Sequence, residues 1–320
     1  MVKGLHKNND KFVKDMELNP EITVDELIDE FKKAGAFGAG RLGLAADILE
    51  KMFREEKLLK FLGLAGALIP AGIRRIISLL INDNLIDVLV TTGASITHDL
   101  VEALGGRHEK ADVQKNDAQL RELGINRIFD IYVRDSAFQT LEDNIQTILS
   151  NIGEKKREKG LAVYELIWEI GRQIKDQHSI VRSAFKKKIP IFCPAITDSI
   201  LGLQLWLFRQ REKLNIDVLK DLQKIIDIAY ESKKAGVIVL GGGVPKNHIL
   251  QTMLITGRGF DYAIQITTDR PESGGLSGAS LQEAQSWGKI KSDALWVDVI
   301  ADATIAFPMI VASALKRLKY

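Results

Sequence analysis

The chain contains a single cysteine, Cys193, in 320 residues. That excludes an intrachain disulfide and a cysteine-built zinc site, and it suits a reducing cytoplasm. Charge of one sign is also scarce: 44 Lys and Arg against 42 Asp and Glu leave a net +2, too little for the basic field that nucleic acid demands. Long apolar runs are missing. The longest, "FLGLAGALIPAGI" (61–73), is too short to span a bilayer and contains Pro70. The opening "MVKGLHKNNDKFVKD" has no apolar signal core. Histidines are few, and no pair has a metal-ligand spacing such as His-Glu-x-x-His. There is no Gly-x-Gly-x-x-Gly fingerprint, no Gly-Lys-Ser/Thr phosphate loop, no internal repeat and no low-complexity linker. These absences point to a soluble intracellular protein with no metal, no nucleic-acid partner and no membrane partner.

What remains is an ordinary globular composition, 46% hydrophobic and 27% charged, long enough for a large core. After an irregular polar arm, "TVDELIDEFKKAG" (23–35) reads as a helix. Thr23 and Glu26 have capping-box spacing, and Gly35 can close the last turn. A second amphipathic helix is expected over 42–57. From there short apolar runs alternate with helical patterns. Strands are expected at "IDVLVT" (86–91), "IFDIYV" (128–133), "IPIFCP" (189–194), "GVIVLG" (236–241), "YAIQIT" (262–267) and "LWVDVI" (295–300). Helices are expected at 72–83 and 214–236. Strands apolar along their whole length suit a parallel sheet covered on both faces. The expected fold is therefore α/β, a doubly wound, mostly parallel, Rossmann-like sheet. Residues 1–60 are expected to form an N-terminal helical extension and 61–320 the α/β domain, as one structural unit.

Ligands of such sheets bind beyond the carboxyl ends of the strands. Those ends read "TTGAS" (91–95), "CPAITDS" (193–199), "LGGGVPKN" (240–247), "TTDRPESGGLSG" (267–278) and "ADAT" (301–304). In "VIVLGGGVPKNHI" a strand, a glycine turn and a helix with Pro245 in its first turn follow one another. Gly241, Gly242 and Gly243 can let backbone approach a phosphate at the helix N-terminus, or form a tight turn and nothing more. Asp198 and Asp302 can accept from ribose hydroxyls or cap helices.

The stretch "LQEAQSWGKI" (281–290) sets the bulky Trp287 before Gly288 and Lys289, just after the loop "ESGGLSGAS". "SLQE" has capping-box spacing, so Glu283 can simply close a helix start. Most lysines are solvated surface charges. One acts as a nucleophile when its amine is neutral, and burial against an apolar ring favours that form. Trp287 can thus wall a dry pocket for Lys289, with Gly288 ending the helix between them.

The run "EAQSWGKI" resembles the active-site lysine motif of deoxyhypusine synthases. The likeness extends from "FLGLAGALIPAGIRRIISLLINDNLIDVLVTTGASITHDL" through "IFCPAITDS", "VIVLGGGVPKNHI" and "SGGLSGASLQEAQSWGKI" to "VIADATIAFP". The resemblance implies an NAD-dependent aminobutyl transfer from spermidine, through an imine on Lys289, to one lysine of translation initiation factor 5A. It also implies NAD contacts from Thr92, Gly93, Ala94, Asp198, Gly241, Gly242, Gly243, Thr268, Asp302 and Ala303. Glu283 and Trp287 would meet the polyamine, with Asn247, His248, Gly274 and Gly275 beside it, in a homotetramer with sites between paired subunits. Eukaryotic members carry a Glu pair where this chain has Thr97 and His98. They carry Asp at Leu203 and Leu276, and a catalytic His at Asn247. Two other readings stand beside it: a homospermidine synthase-like transfer between polyamines, and a non-catalytic NAD-binding oligomer.

Overall fold

A computed structural model describes residues 12–112 and 116–319. Of the expected polar arm, residues 1–11 lie outside the described residues, and 12–22 form neither helix nor strand. The chain divides into two compact units. One runs to Ala65 and resumes at Lys224; the other is Gly66–Gln223.

The first unit begins with α1 (Val24–Ala34), α2 (Phe37–Arg54) and β1 (Leu58–Leu64). Thr23 and Glu26 form the expected capping box on α1, and Gly35 closes it in the left-handed conformation. The second unit holds α3 (Arg74–Asn82), β2 (Val88–Thr91), α4 (Gly93–Ala103), β3 (His108–Lys110), α5 (Asp117–Glu122), β4 (Ile125–Ile128) and β5 (Ile131–Arg134). It continues with α6 (Asp135–Ser150), α7 (Glu154–Lys159), α8 (Val163–Gln173), α9 (Ile180–Lys187), β6 (Ile191–Phe192) and α10 (Ile200–Arg209). Helix α11 (Val218–Glu231) follows. The first unit, resumed within α11, continues with β7 (Lys234–Leu240), α12 (Gly243–Thr256), β8 (Phe260–Thr267), α13 (Leu281–Ser286), β9 (Ile290–Ile300) and α14 (Ala303–Leu318).

The fold is mixed α/β with a mostly parallel six-stranded sheet. In the first unit four strands run parallel in the order β1-β7-β8-β9. The interiors of β1, β7 and β8 are almost wholly buried, as a sheet covered on both faces requires, whereas β9 is partly exposed. Helices α2 and α14 pack on β8, α2 also on β9, and α12 on β1. Arg317 of α14 donates to Asp25 and Asp29 of α1 and to Asp47 of α2, tying the N-terminal helices into this unit. In the second unit β2 and β6 pair in parallel, and β3-β5-β4 form a small antiparallel sheet.

Two expectations change. "IFDIYV" is not one buried strand but the turn and second arm of a hairpin. Ile128 pairs with Ile131, and Phe129 turns the chain with φ 53° while 85% exposed. A short apolar run cannot declare its own pairing, and here a left-handed Phe splits it. Strand β1 was not among the expected strands, because Lys60 and Gly63 interrupt its apolar run; Lys60 is nevertheless buried.

Candidate active site

The first unit answers why Gly288 separates Trp287 from Lys289. Helix α13 starts at Ser280, whose hydroxyl accepts from the Glu283 N–H at 3.1 Å. It ends in a Schellman motif. Gly288 N–H donates to Gln285 O at 2.9 Å, and Lys289 N–H donates to Ala284 O at 3.0 Å, with Gly288 at φ 70°. Only glycine takes that conformation without strain. The turn then delivers Lys289 straight into β9, where its carbonyl accepts from Phe260 N–H. A continuous helix would set Glu283 and Lys289, six residues or about 600° apart, on different faces, and the turn releases Lys289 from that constraint.

The Lys289 ammonium sits 5.3 Å from the centre of the Trp287 ring. The expected contact is present, but the expected dryness is not: in the single chain Trp287 is 60% exposed. Glu283 is also exposed. Ser280 caps α13, but among the described residues no Glu283 carboxylate bond back to Ser280 N–H completes a capping box. Its carboxylate is left for another partner.

The glycine turn follows β7. Gly241 and Gly243 have φ of 75° and 57°, and no side-chain bond caps α12. A Cβ on Gly242 would stand 2.3 Å from Ser277 Cα, so the turn presses directly on the glycine-rich loop. On the far side of Gly243 a Cβ would meet nothing within 4 Å. Free N–H groups and the positive end of a 14-residue helix thus open onto unfilled space, which is what an anion requires. On the same helix Asn247 and His248 are half-buried. His248 Nε2 is buried with no hydrogen-bond partner among the described residues, and burial pushes the imidazole below its ordinary pKa. In the loop, Gly274 is left-handed and its N–H donates to Pro271 O, while Gly275 N–H donates to Ser273 Oγ. Thr268 lies exposed just past β8. Asp302 caps α14: its Oδ1 accepts from Thr304 N–H at 2.7 Å and from Thr304 Oγ1 at 2.8 Å, with Ala303 the first helical residue. Lys289 differs from these in place. Its backbone is at the start of β9, whereas Gly241–Gly243, Thr268 and Asp302 follow strand ends.

The second unit gathers the other expected cofactor residues. Thr92 caps α4, accepting from Ser95 N–H at 3.2 Å. Gly93 permits close approach: a Cβ there would lie 2.3 Å from Ser199 Oγ. That contact brings Thr92, Gly93 and the exposed Ala94, beyond β2, next to the loop of Asp198, beyond β6. Asp198 is exposed and does not cap α10; Ser199 does, accepting from Gly202 N–H. Thr97 is buried in packing, donating to Gly93 O and accepting from Leu201 N–H. His98 Nδ1 meets His108 Nε2 at 2.9 Å, and His108 Nδ1 meets Glu102 at 2.7 Å. Burial, then the charge of His108, pushes His98 down to about 4. Leu203 and Leu276 are 57% and 46% exposed.

Lys246 was passed over in the sequence. It is 2% exposed, and its ammonium donates to Leu276 O at 3.0 Å and to Ala279 O. Burial pushes it down to about 8, against the pull of Asp298 and Glu283, while the charge of Lys289 adds to the depression. Lys246, Glu283 and Lys289 thus share one electrostatic neighbourhood. The available signal was its place in the first turn of a helix, where the dipole opposes a cation.

These features make an α/β protein with an uncapped glycine turn and a lysine beside a tryptophan, and the comparisons place it among the transferases. Residues 26–314 match the family model described as "Deoxyhypusine synthase". The chain is 49% identical over 306 residues to "Probable deoxyhypusine synthase 1" of Methanosarcina acetivorans, covering 96% of this chain and 95% of that one. It is 47% identical over 302 residues to the protein of the same name in Archaeoglobus fulgidus, covering 94% and 97%. In fold it is similar to a crystal structure of a candidate deoxyhypusine synthase from Entamoeba histolytica. There the TM-score is 0.67 at 20% identity, covering 95% of this chain and 97% of that one. The chain belongs to the deoxyhypusine synthase family.

Proposed function

We propose that the protein transfers the aminobutyl group of spermidine to a lysine of translation initiation factor 5A, through an imine on Lys289. The observation that carries this reading is the Lys289 ammonium over the Trp287 ring, in a member of this family. NAD, when bound, supplies the hydride acceptor and donor that open and close the reaction. The glycine turn at the uncapped start of α12 suits its pyrophosphate, with Thr92, Gly93, Ala94, Asp198, Thr268, Asp302 and Ala303 as the further holding residues. The orphaned His248 Nε2 is a polar atom that a bound substrate group would satisfy.

Within this reading the neutral Lys289 amine adds to the imine carbon of oxidised spermidine. The C–N bond to the departing amine breaks, and 1,3-diaminopropane leaves with the two protons given up by Lys289. The acceptor lysine displaces Lys289 in the same way, freeing it for another turnover. Glu283 pairs a substrate ammonium, and Trp287 holds a second cation by its ring face, worth about 0.5–2 kcal/mol. Asn247, His248, Gly274 and Gly275 line the polyamine side.

Purified protein with NAD, spermidine and the host's initiation factor 5A is expected to add the aminobutyl mass to the factor. Borohydride is expected to trap the adduct on Lys289, and Lys289→Ala and Lys289→Arg to abolish it, since a guanidinium stays charged. An undiminished adduct in Lys289→Ala removes the reading. Glu283→Gln is expected to cut spermidine use sharply; unchanged kinetics would return Glu283 to a surface role. Leu203 and Leu276, apolar where eukaryotic members carry Asp, each remove an anchor for a cation, and the second reading is a homospermidine synthase-like transfer with a polyamine as acceptor. It is tested by homospermidine formation from putrescine. NAD binding without any adduct would support the non-catalytic oligomer.

Exposed Val244, Leu276, Trp287 and Ile305 in the first unit support a homo-oligomer, a tetramer in the family's pattern, in which a second copy dries the lysine. Light scattering checks it. Among the described residues no helix is long and apolar enough to cross a membrane. A cytoplasmic setting with no membrane or nucleic-acid partner fits the reaction.

A further inference from the structure

Lysine is almost never buried without a counter-charge bonded to it. Lys246 is 2% exposed, yet the bonds its ammonium makes are to backbone carbonyls, Leu276 O at 3.0 Å and Ala279 O. Both carbonyls belong to the glycine-rich segment. Ser280, the cap of α13, follows directly. A second tie runs parallel: Gln265 Nε2 donates to Gly241 O at 3.2 Å and to Ser277 O at 2.7 Å. Past the cap, the Asp298 carboxylate accepts from Leu281 N–H at 3.2 Å. Six residues after Glu283, the Schellman turn that ends α13 releases Lys289. The glycine turn, the loop, Glu283 and Lys289 are thus linked through a few polar atoms, with Lys246 at the joint.

We propose that Lys246 is a positioning residue: its buried ammonium clamps the 276–279 carbonyls to the first turn of α12 and so fixes where Glu283 and Lys289 stand relative to the glycine turn. This rests on the reading of Lys289 as the imine-forming residue. The clamp itself exists with or without substrate. The carbonyl bonds offset only part of the ammonium's desolvation, so the closed loop is held better still once the amine is neutral. The groups facing it are Asp298 from β9, Glu283 from α13 and Lys289 from the turn after it.

The test is amide hydrogen exchange on the full chain, without amine or acceptor, in the wild type and in Lys246→Met. Amides 276–281 are expected to exchange about tenfold faster or more in the variant, while those of β7, β8 and β9 keep their protection. A uniform increase through the strands, or no increase at 276–281, overturns the proposal. If the variant does not fold, the wild type alone decides. Protection at 276–281, normalised to β8, is expected to rise as pH climbs above about 8, because opening the clamp returns Lys246 to its higher ordinary pKa. A flat profile overturns the clamp. Under turnover, Lys246→Met is expected to raise the amine KM and lower kcat together, leaving a slow, trappable Lys289 adduct. Should wild-type Lys289 give no adduct while the exchange results hold, the functional reading fails and the clamp stands.

Discussion

The two units bury charge in opposite ways. In Gly66–Gln223, Arg74 donates to Asp99 at 2.7 Å and to Asp176 at 2.6 Å, and Asp99 also accepts from Ser179 Oγ and the N–H groups of Ile180 and Val181. Each charge of this cluster meets an opposite charge or a donor. In the same unit Asp221 receives the Tyr164 N–H at 3.1 Å, and burial pushes its carboxyl up to about 7. The unit with the glycine turn instead buries a cation, Lys246, against carbonyls, and burial pushes that ammonium down to about 8. The second unit spends its buried polarity on holding helices. The first keeps a barely satisfied cation where the chemistry is proposed, as strained electrostatics at functional sites would lead one to expect.

The sharpest way to break this comparison is Arg74→Met. If the Arg74–Asp99–Asp176 cluster is purely structural, leaving Asp99 without its cation costs about 3–5 kcal/mol. Chemical denaturation reads this directly, and a cost below about 1 kcal/mol would mean the three amide and hydroxyl donors suffice. Asp221→Asn comes next. A carboxyl held near 7 instead of its ordinary 3.8 binds more protons folded than unfolded between those values. Its contribution is therefore complete at acid pH and lost as pH rises through about 7, on the order of 3 kcal/mol. The variant is expected to flatten that part of the stability–pH curve and to be the more stable form at pH 8. Lys246 works with the other sign. Its folded pKa lies below its ordinary value, so stability from this group rises between about pH 8 and 10.5. Lys246→Met should remove that rise.

Smaller effects test the lysine's own surroundings. Gly288→Ala places a Cβ at φ 70°, costing about 1–2 kcal/mol, and it should lower Lys289 adduct formation by more than stability alone explains. Equal losses in both would reduce Gly288 to a helix stop. Asp302→Ala removes the α14 cap at about 1 kcal/mol. NAD affinity measured by calorimetry should weaken beyond what that loss accounts for; unchanged affinity leaves Asp302 as a cap only.

Much was legible locally. Thr23, Glu26 and Gly35 announced α1 because a capping box and a left-handed glycine are short-range chemistry. The strand runs of β2, β7, β8 and β9 were legible because a parallel sheet buried on both faces demands uninterrupted apolar residues. Gly288 between Trp287 and Lys289 announced a break, and the Schellman turn is that break. "IFDIYV" was not legible as a hairpin, nor "LLKFLGL" as a strand. Pairing partners and the left-handed Phe129 lie outside any local pattern.

The sequence by itself determined the fold class and the family, since periodicity, turn chemistry and motif order are written along the chain. Only the tertiary structure decided that Ser199 rather than Asp198 caps α10, and that Asp302 is itself a cap. Likewise, only the structure left Trp287 open on one side and drew Lys246 to the carbonyls of a loop thirty residues away. The reason is physical. A hydrogen bond between distant segments depends on where packing sets two backbones, and no residue's neighbours in sequence encode that distance.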